Sequence, residues 1–121
     1  MEPIIIIDSD KEQCRKLREI LGAHHYPADI FPSLLDMEEV IEEKDPRVVI
    51  LNLDTVPIDN RKIKDIKQRN RSINIIVFSG KSFHPELKEA LRDHIYACLK
   101  QPLDYDELIY WVNTAYENGE K

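Results

Sequence analysis

The sequence predicts a doubly wound α/β domain, with a parallel sheet between two layers of helices. Three observations carry that prediction. Short β-branched runs alternate with stretches of helical periodicity five times in 121 residues, and parallel neighbours need crossover connections that helices usually supply. The segment Arg47 to Leu53 is continuously apolar at its centre, as expected of a strand covered on both faces. Hydrophobic residues make up 42% and charged residues 33% of the chain, a balance that fills one core, so a single domain spanning 1–121 is expected.

The elements follow in order. Ile4 to Asp8 is too short and too β-branched for a helix and is the first strand. Ser9-Asp10-Lys11-Glu12 has the spacing of a Ser-x-x-Glu capping box, predicting a helix with Cys14, Leu17 and Leu21 on its apolar stripe and Gly22 at its end. Ala28 to Phe31 is a weak second strand. Ser33 is expected to cap a short helix carrying Leu35, Val40 and Ile41, which stops before Pro46 because the residue ahead of a proline avoids helical backbone. After the third strand, Arg47 to Leu53, Asp59 caps a helix through Ile63 and Ile66. Ile73 to Phe78 is the fourth strand, and Pro85 suits the first turn of the next helix. Ile95 to Leu99 is the fifth strand. Asp104-Tyr105-Asp106-Glu107 then opens a helix with Leu108, Trp111, Val112 and Ala115 on one face and Leu103 placed as a hydrophobic staple.

Several function classes are disfavoured by composition. The longest apolar run, Ile4 to Ile7, is far too short to cross a bilayer and no leader precedes it, so a cytoplasmic protein without membrane contact is expected. A net charge of -6 would repel a phosphate backbone, and the basic residues from Arg61 to Arg71 alternate with isoleucines as a solvated helix face does. Nucleic acid is therefore not an expected partner. Cys14 and Cys98 are far apart without metal-ligand spacing and read as reduced core thiols. His24, His25, His84 and His94 likewise lack ligand spacing and read as solvated or capping residues.

In a doubly wound sheet the ligand site lies beyond the carboxyl ends of the strands, where strand order reverses. Here those ends are Asp8 to Asp10, Asn52 to Asp54, Ser79 with Gly80, and Lys100 to Pro102. Acidic groups follow the first and third strands, a hydroxyl follows the fourth and a proline the fifth. In these residues, and in element order and spacing over essentially its whole length, the chain resembles the receiver domain of two-component response regulators. The resemblance implies a flavodoxin-like (βα)5 three-layer sandwich with strand order 2-1-3-4-5, and a signalling rather than enzymatic role. It also implies a site. In that family two adjacent acidic residues after the first strand hold Mg²⁺, an aspartate ending the third strand accepts a phosphoryl group, a Ser or Thr contacts that group, and a lysine before a proline neutralises charge.

Carried over position by position, Asp8 matches the first acidic residue, but Ser9 stands at the second. Asn52 stands at the acceptor position, where an amide is no nucleophile for an acyl phosphate. Ser79 keeps the hydroxyl; Gln101 replaces the lysine, and Cys98 occupies the aromatic switch position. No metal is expected, with weak Mg²⁺ binding by Asp8 and Asp10, helped by Asn52 and the Asp54 backbone, as the exception. Asp54 is the alternative acceptor because residues i and i+2 of a strand share a side. Along an extended chain, however, it would lie roughly 6 to 7 Å further on, beyond the pocket of Ser79 and Asp8.

Simpler readings stand beside these. Ser9 and Asp10 suit a helix N-terminus, whereas Asp8, directly after four isoleucines, needs a partner such as Lys100 to offset its desolvation. The expectation is a receiver with a degenerate site, acting as a phosphorylation-independent interaction module through its fourth helix, fifth strand and fifth helix, with a homodimer as one form. Tyr110 on the last helix suits such an interface. The alternatives are a phosphoacceptor at Asp54 and a haloacid dehalogenase-like phosphatase using Asp8-Ser9-Asp10. The phosphatase reading suffers because Lys11 and Glu12 stand where that family expects a small residue and Thr or Val. A flavin site is excluded because no glycine- or hydroxyl-rich cradle follows the first strand. No output domain is read in the chain.

Overall fold

Four isoleucines, Ile4–Ile7, are completely buried and form β1, an interior strand of the sheet. The computed structural model describes residues 2–35, 37–82 and 84–118. Around β1 the described elements run α1 (Lys11–Ala23), β2 (Ala28–Phe31), α2 (Met37–Lys44), β3 (Val48–Asn52), α3 (Asn60–Arg69), β4 (Asn74–Ser79), a 3₁₀ turn (Pro85–Leu87) leading into α4 (Lys88–Asp93), β5 (Ala97–Lys100) and α5 (Tyr105–Asn118). All four strand pairings are parallel, as the sequence pattern predicts, and the order is β2-β1-β3-β4-β5, as the family resemblance implies. The order reverses between β1 and β3, which places the first and third strand ends side by side.

The helices divide between the two faces, and the period of two within each strand decides which residue meets which layer. Ile4, Ile6, Val48, Ile50, Ile76 and Phe78 pack with Leu17 and Leu21 of α1 and with Leu108, Val112 and Ala115 of α5. Ile5, Ile7, Val49, Leu51, Ile75 and Val77 pack with Met37 and Ile41 of α2, Ile63 and Ile66 of α3, and Ala90 of α4. Continuous apolar strands are thus covered twice over. Among the described residues, no helix is long and apolar enough to cross a membrane.

Several local expectations are corrected. Asp10, not Ser9, caps α1, because its carboxylate accepts from the N–H groups of Glu12 and Gln13. α1 runs past Gly22, and the left-handed residue that ends it is His25, with φ 67°. Ser33 accepts from Leu35 N–H ahead of α2, and Leu35 is 77% exposed while Met37 takes the buried place. His84 is buried rather than solvated, and it stands at the N-cap of the 3₁₀ turn, where its carbonyl accepts from Leu87 N–H. Asp59 caps α3 and Asp104 caps α5 by accepting first-turn N–H groups, as the sequence indicates.

Candidate functional site

The strand ends carry a continuous hydrogen-bond network built on Asp8. It follows an apolar strand into the sheet's carboxyl edge, where only 1% of it is exposed. One of its oxygens, Oδ1, accepts from Asn52 Nδ2 at 3.0 Å, from Thr55 Oγ1 at 2.9 Å and from Asp10 N–H at 2.9 Å. A buried carboxylate needs such donors to offset lost hydration. Its partners are therefore Asn52 and Thr55, where the sequence suggested Lys100, which points to solvent. Asp8 also lines a cavity of about 370 Å³ walled by Lys11, Arg15, Arg18 and Ile30.

The orientation of the Asn52 amide follows from its neighbours. An ionised carboxylate offers only acceptors, so the Asn52 NH₂ faces Asp8, and the Asp54 backbone offers only a donor, so Asn52 Oδ1 takes it at 2.9 Å. The chain turns at once after β3: Thr55 and Val56 N–H both return to the Asn52 carbonyl, at 3.3 and 3.0 Å. The strand therefore ends at Asn52, not Leu53, and the extended-chain estimate for Asp54 does not apply.

Instead of lying beyond the pocket, Asp54 folds back into it. Its Oδ1 accepts from Ser79 Oγ at 3.0 Å and its Oδ2 from Gly80 N–H at 2.8 Å, with Gln101 Nε2 at 3.5 Å. The two candidate residues after β3 thus divide the site, Asn52 joining Asp8 and Asp54 joining Ser79. Thr55 is a member that sequence reasoning missed; its hydroxyl donates to Asp8 and accepts from Ser9 N–H at 3.2 Å. A hydroxyl three residues beyond a strand end is a faint signal, because nothing in the spacing says which neighbouring strand it will reach. The core-thiol expectation holds for Cys14 and fails for Cys98, which stands on the edge strand β5, separate from this network, and alternates outward from buried Ala97 and Leu99.

The Mg²⁺ that the resemblance implies would need free oxygens at these strand ends. Asp8 Oδ2 is buried without a hydrogen-bond partner, so one oxygen is free. The rest disagree with a metal centre: the Asp10 carboxylate is engaged at the α1 N-terminus, and Asn52 turns its NH₂, not its oxygen, toward Asp8. Magnesium is commonly held by one or two carboxylates with several waters, and here the second carboxylate is spent elsewhere while three cationic side chains line the adjoining cavity. Among the described residues, no group of three or more His, Cys, Asp or Glu is arranged to hold a metal. The residues do not fit that centre.

The thiol of Cys14 donates to the Asp8 carbonyl at 3.2 Å. Burial, with the Asp8 and Asp10 charges nearby, pushes it up to about 11, so it stays protonated near neutral pH and is a poor nucleophile.

Known proteins share this architecture. The model of the response regulator receiver domain family matches residues 4–113. The chain is 27% identical over 113 residues to the transcriptional regulatory protein ZraR of Klebsiella oxytoca, a match covering 93% of this chain and 26% of that protein. It thus spans about a quarter of that relative's length. The signal receiver domain of an HD domain-containing protein from Pseudomonas fluorescens Pf-5 superposes with a TM-score of 0.86 at 20% identity, over 99% of this chain and 98% of that one. The beryllofluoride-activated NtrC4 receiver domain dimer superposes with a TM-score of 0.86 at 22% identity, over 98% of this chain and 99% of that one. At such identities the structural likeness speaks for the fold.

Proposed function

The chain belongs to the response regulator receiver domain family, and from that premise we propose that it signals through its surface without phosphoryl transfer to its strand-end site. The observation that carries the proposal is the Asn52–Asp8 hydrogen bond of 3.0 Å at the end of β3. The side chain held there is an amide, which cannot form the acyl phosphate that a carboxylate forms. Two further departures support the reading. Ser9 brings a hydroxyl where a carboxylate would be needed, and Gln101 brings no charge to Asp54.

Partner binding is assigned to the face of α4, β5 and α5. Tyr110 is 60% exposed on α5, and Cys98 and Lys100 are exposed on β5, the edge strand of the sheet. A protein partner, or a second copy of the chain, fits that surface; the role is signalling in the cytoplasm rather than catalysis.

A displaced acceptor at Asp54 is the competing reading, favoured by the position of that carboxylate against Ser79. Incubation with acetyl phosphate and Mg²⁺, followed by intact-mass measurement, separates the two. No phosphoryl gain is expected. An acid-stable, alkali-labile gain of one phosphoryl group that disappears in Asp54→Ala would overturn the proposal and establish its competitor.

A further inference from the structure

At the ends of β4 and β5, three hydrogen-bond donors converge on a carboxylate that the chain itself supplies. Ser79 Oγ donates to Asp54 Oδ1 at 3.0 Å, Gly80 N–H donates to Oδ2 at 2.8 Å, and Gln101 Nε2 stands 3.5 Å from that second oxygen. The Ser79 hydroxyl is fully oriented, since it also accepts from Lys81 N–H at 3.0 Å. A hydroxyl, a backbone N–H and an amide around one negative group form an anion receptor, because bonds to an ionised acceptor are stronger than neutral ones. Gly80 packs closely on the occupant: a Cβ there would stand in ordinary contact, 3.4 Å from Asp54 Oδ2.

The receptor draws on three segments, two of which are already joined, because Gln101 N–H donates to the Ser79 carbonyl at 2.8 Å. Ser79 and Gly80 belong to the end of β4 and Gln101 follows β5, while Asp54 reaches them from the turn after β3. That turn is fixed in its own right, because Asp54 N–H is held by Asn52 Oδ1 at 2.9 Å. Asp54 is exposed and contributes nothing to either core cluster, so its carboxylate is spent on these donors rather than on packing.

We propose that Asp54 is the resident anion of this receptor, that it locks the Gly80–Lys81 segment in the anion-bound position, and that the receptor takes a small tetrahedral oxyanion only once that carboxylate is removed. The proposal rests on the preceding reading in treating the strand-end site as unmodified in its working state. It adds that the segment after β4 is set by the sequence itself, with no added group required.

Amide resonances of Gly80 and Lys81, followed in the isotope-labelled full chain during titration with inorganic phosphate, test this. The wild-type resonances are expected to stay in place. In Asp54→Ala they should start displaced and move saturably toward the wild-type positions as phosphate is added, whereas sodium chloride at matched ionic strength leaves them unmoved. A wild-type response equal to that of Asp54→Ala, or no response in Asp54→Ala, overturns the proposal. Asp54→Asn keeps the side chain's volume without its charge and is the second variant. Its Gly80 and Lys81 resonances should also leave the wild-type positions, and unchanged positions would sink the lock. Phosphodonor labelling of the wild-type chain would defeat the proposed function on a separate readout, so the two failures are distinguishable.

Discussion

The Asn52 amide donates to the Asp8 carboxylate at 3.0 Å across the join between β3 and β1, and both side chains are almost wholly buried. Replacing that donor with a carboxylate would set two acceptors face to face. Like charges at such a distance cannot both ionise comfortably, so one carboxyl would hold its proton to higher pH than usual.

Asn52→Asp is therefore expected to lose roughly 2 to 4 kcal/mol at neutral pH. The sign follows from linkage: a carboxyl whose folded value is raised costs stability above its unfolded value, and the cost fades as pH falls. Urea unfolding at neutral and acidic pH measures both. The same variant should not gain rapid Mg²⁺-dependent phosphorylation, since Ser9 and Gln101 remain as they are. Rapid labelling would show that those two positions are dispensable.

The start of α1 offers a direct comparison of neighbours. Asp10 accepts from Glu12 N–H at 3.1 Å and Gln13 N–H at 3.2 Å, while Ser9 uses only its backbone N–H, toward Thr55. Asp10→Ala should cost about 1 kcal/mol as a lost helix cap, and Ser9→Ala should stay within about 0.5 kcal/mol. Thermal unfolding of the two variants decides the matter, and the reverse ranking would restore Ser9 as the cap.

Much of this architecture was legible because it depends on periodicity. Ile4–Ile7 and Val48–Asn52 announce strands buried on two faces, and Asp59 and Asp104 announce helix starts, since each signal is local. The strand-end residues were legible by position but not by partner. Asp54 was misplaced because the strand rise was extended through a segment that turns, and that turn depends on hydrogen bonds to the Asn52 carbonyl which no composition reveals. Ser9 and Asp10 compete for one cap within a single turn of chain, and only the backbone geometry chooses between them. Thr55 escaped because its partner, Asp8, lies 47 residues away.

Alkaline pH should weaken the fold through two groups. Burial pushes the Tyr116 hydroxyl up to about 12, with Glu2 and Tyr26 adding to it against Arg47, and the Cys14 thiol is held up at about 11. In the unfolded chain each ionises at its ordinary, lower value, so the stability they confer is complete below about pH 9 and is lost as pH rises toward 12. Tyr116→Phe should make that decline shallower. Because the Tyr116 hydroxyl is buried without a hydrogen-bond partner, the same variant should be neutral or more stable by up to about 1 kcal/mol near pH 7. Denaturant unfolding across the alkaline range reads both effects; a Tyr116→Phe decline as steep as the wild type's would acquit that hydroxyl.

The two thiols should report on the proposed partner face. Cys14 is 3% exposed beneath α1, whereas Cys98 is exposed on β5. Partial burial nevertheless raises the Cys98 thiol, so a disulfide reagent should label one thiol in the native chain, faster as pH rises, and Cys98→Ser should remove that phase. A bulky adduct at Cys98 covers part of β5, which with α5 and its Tyr110 belongs to the proposed partner face. If that face binds a second copy, the adduct and Tyr110→Ala should each shift sedimentation toward the monomer, while Tyr110→Ala leaves stability within about 0.5 kcal/mol. A labelled chain that sediments as an undiminished dimer would place the interface on another face.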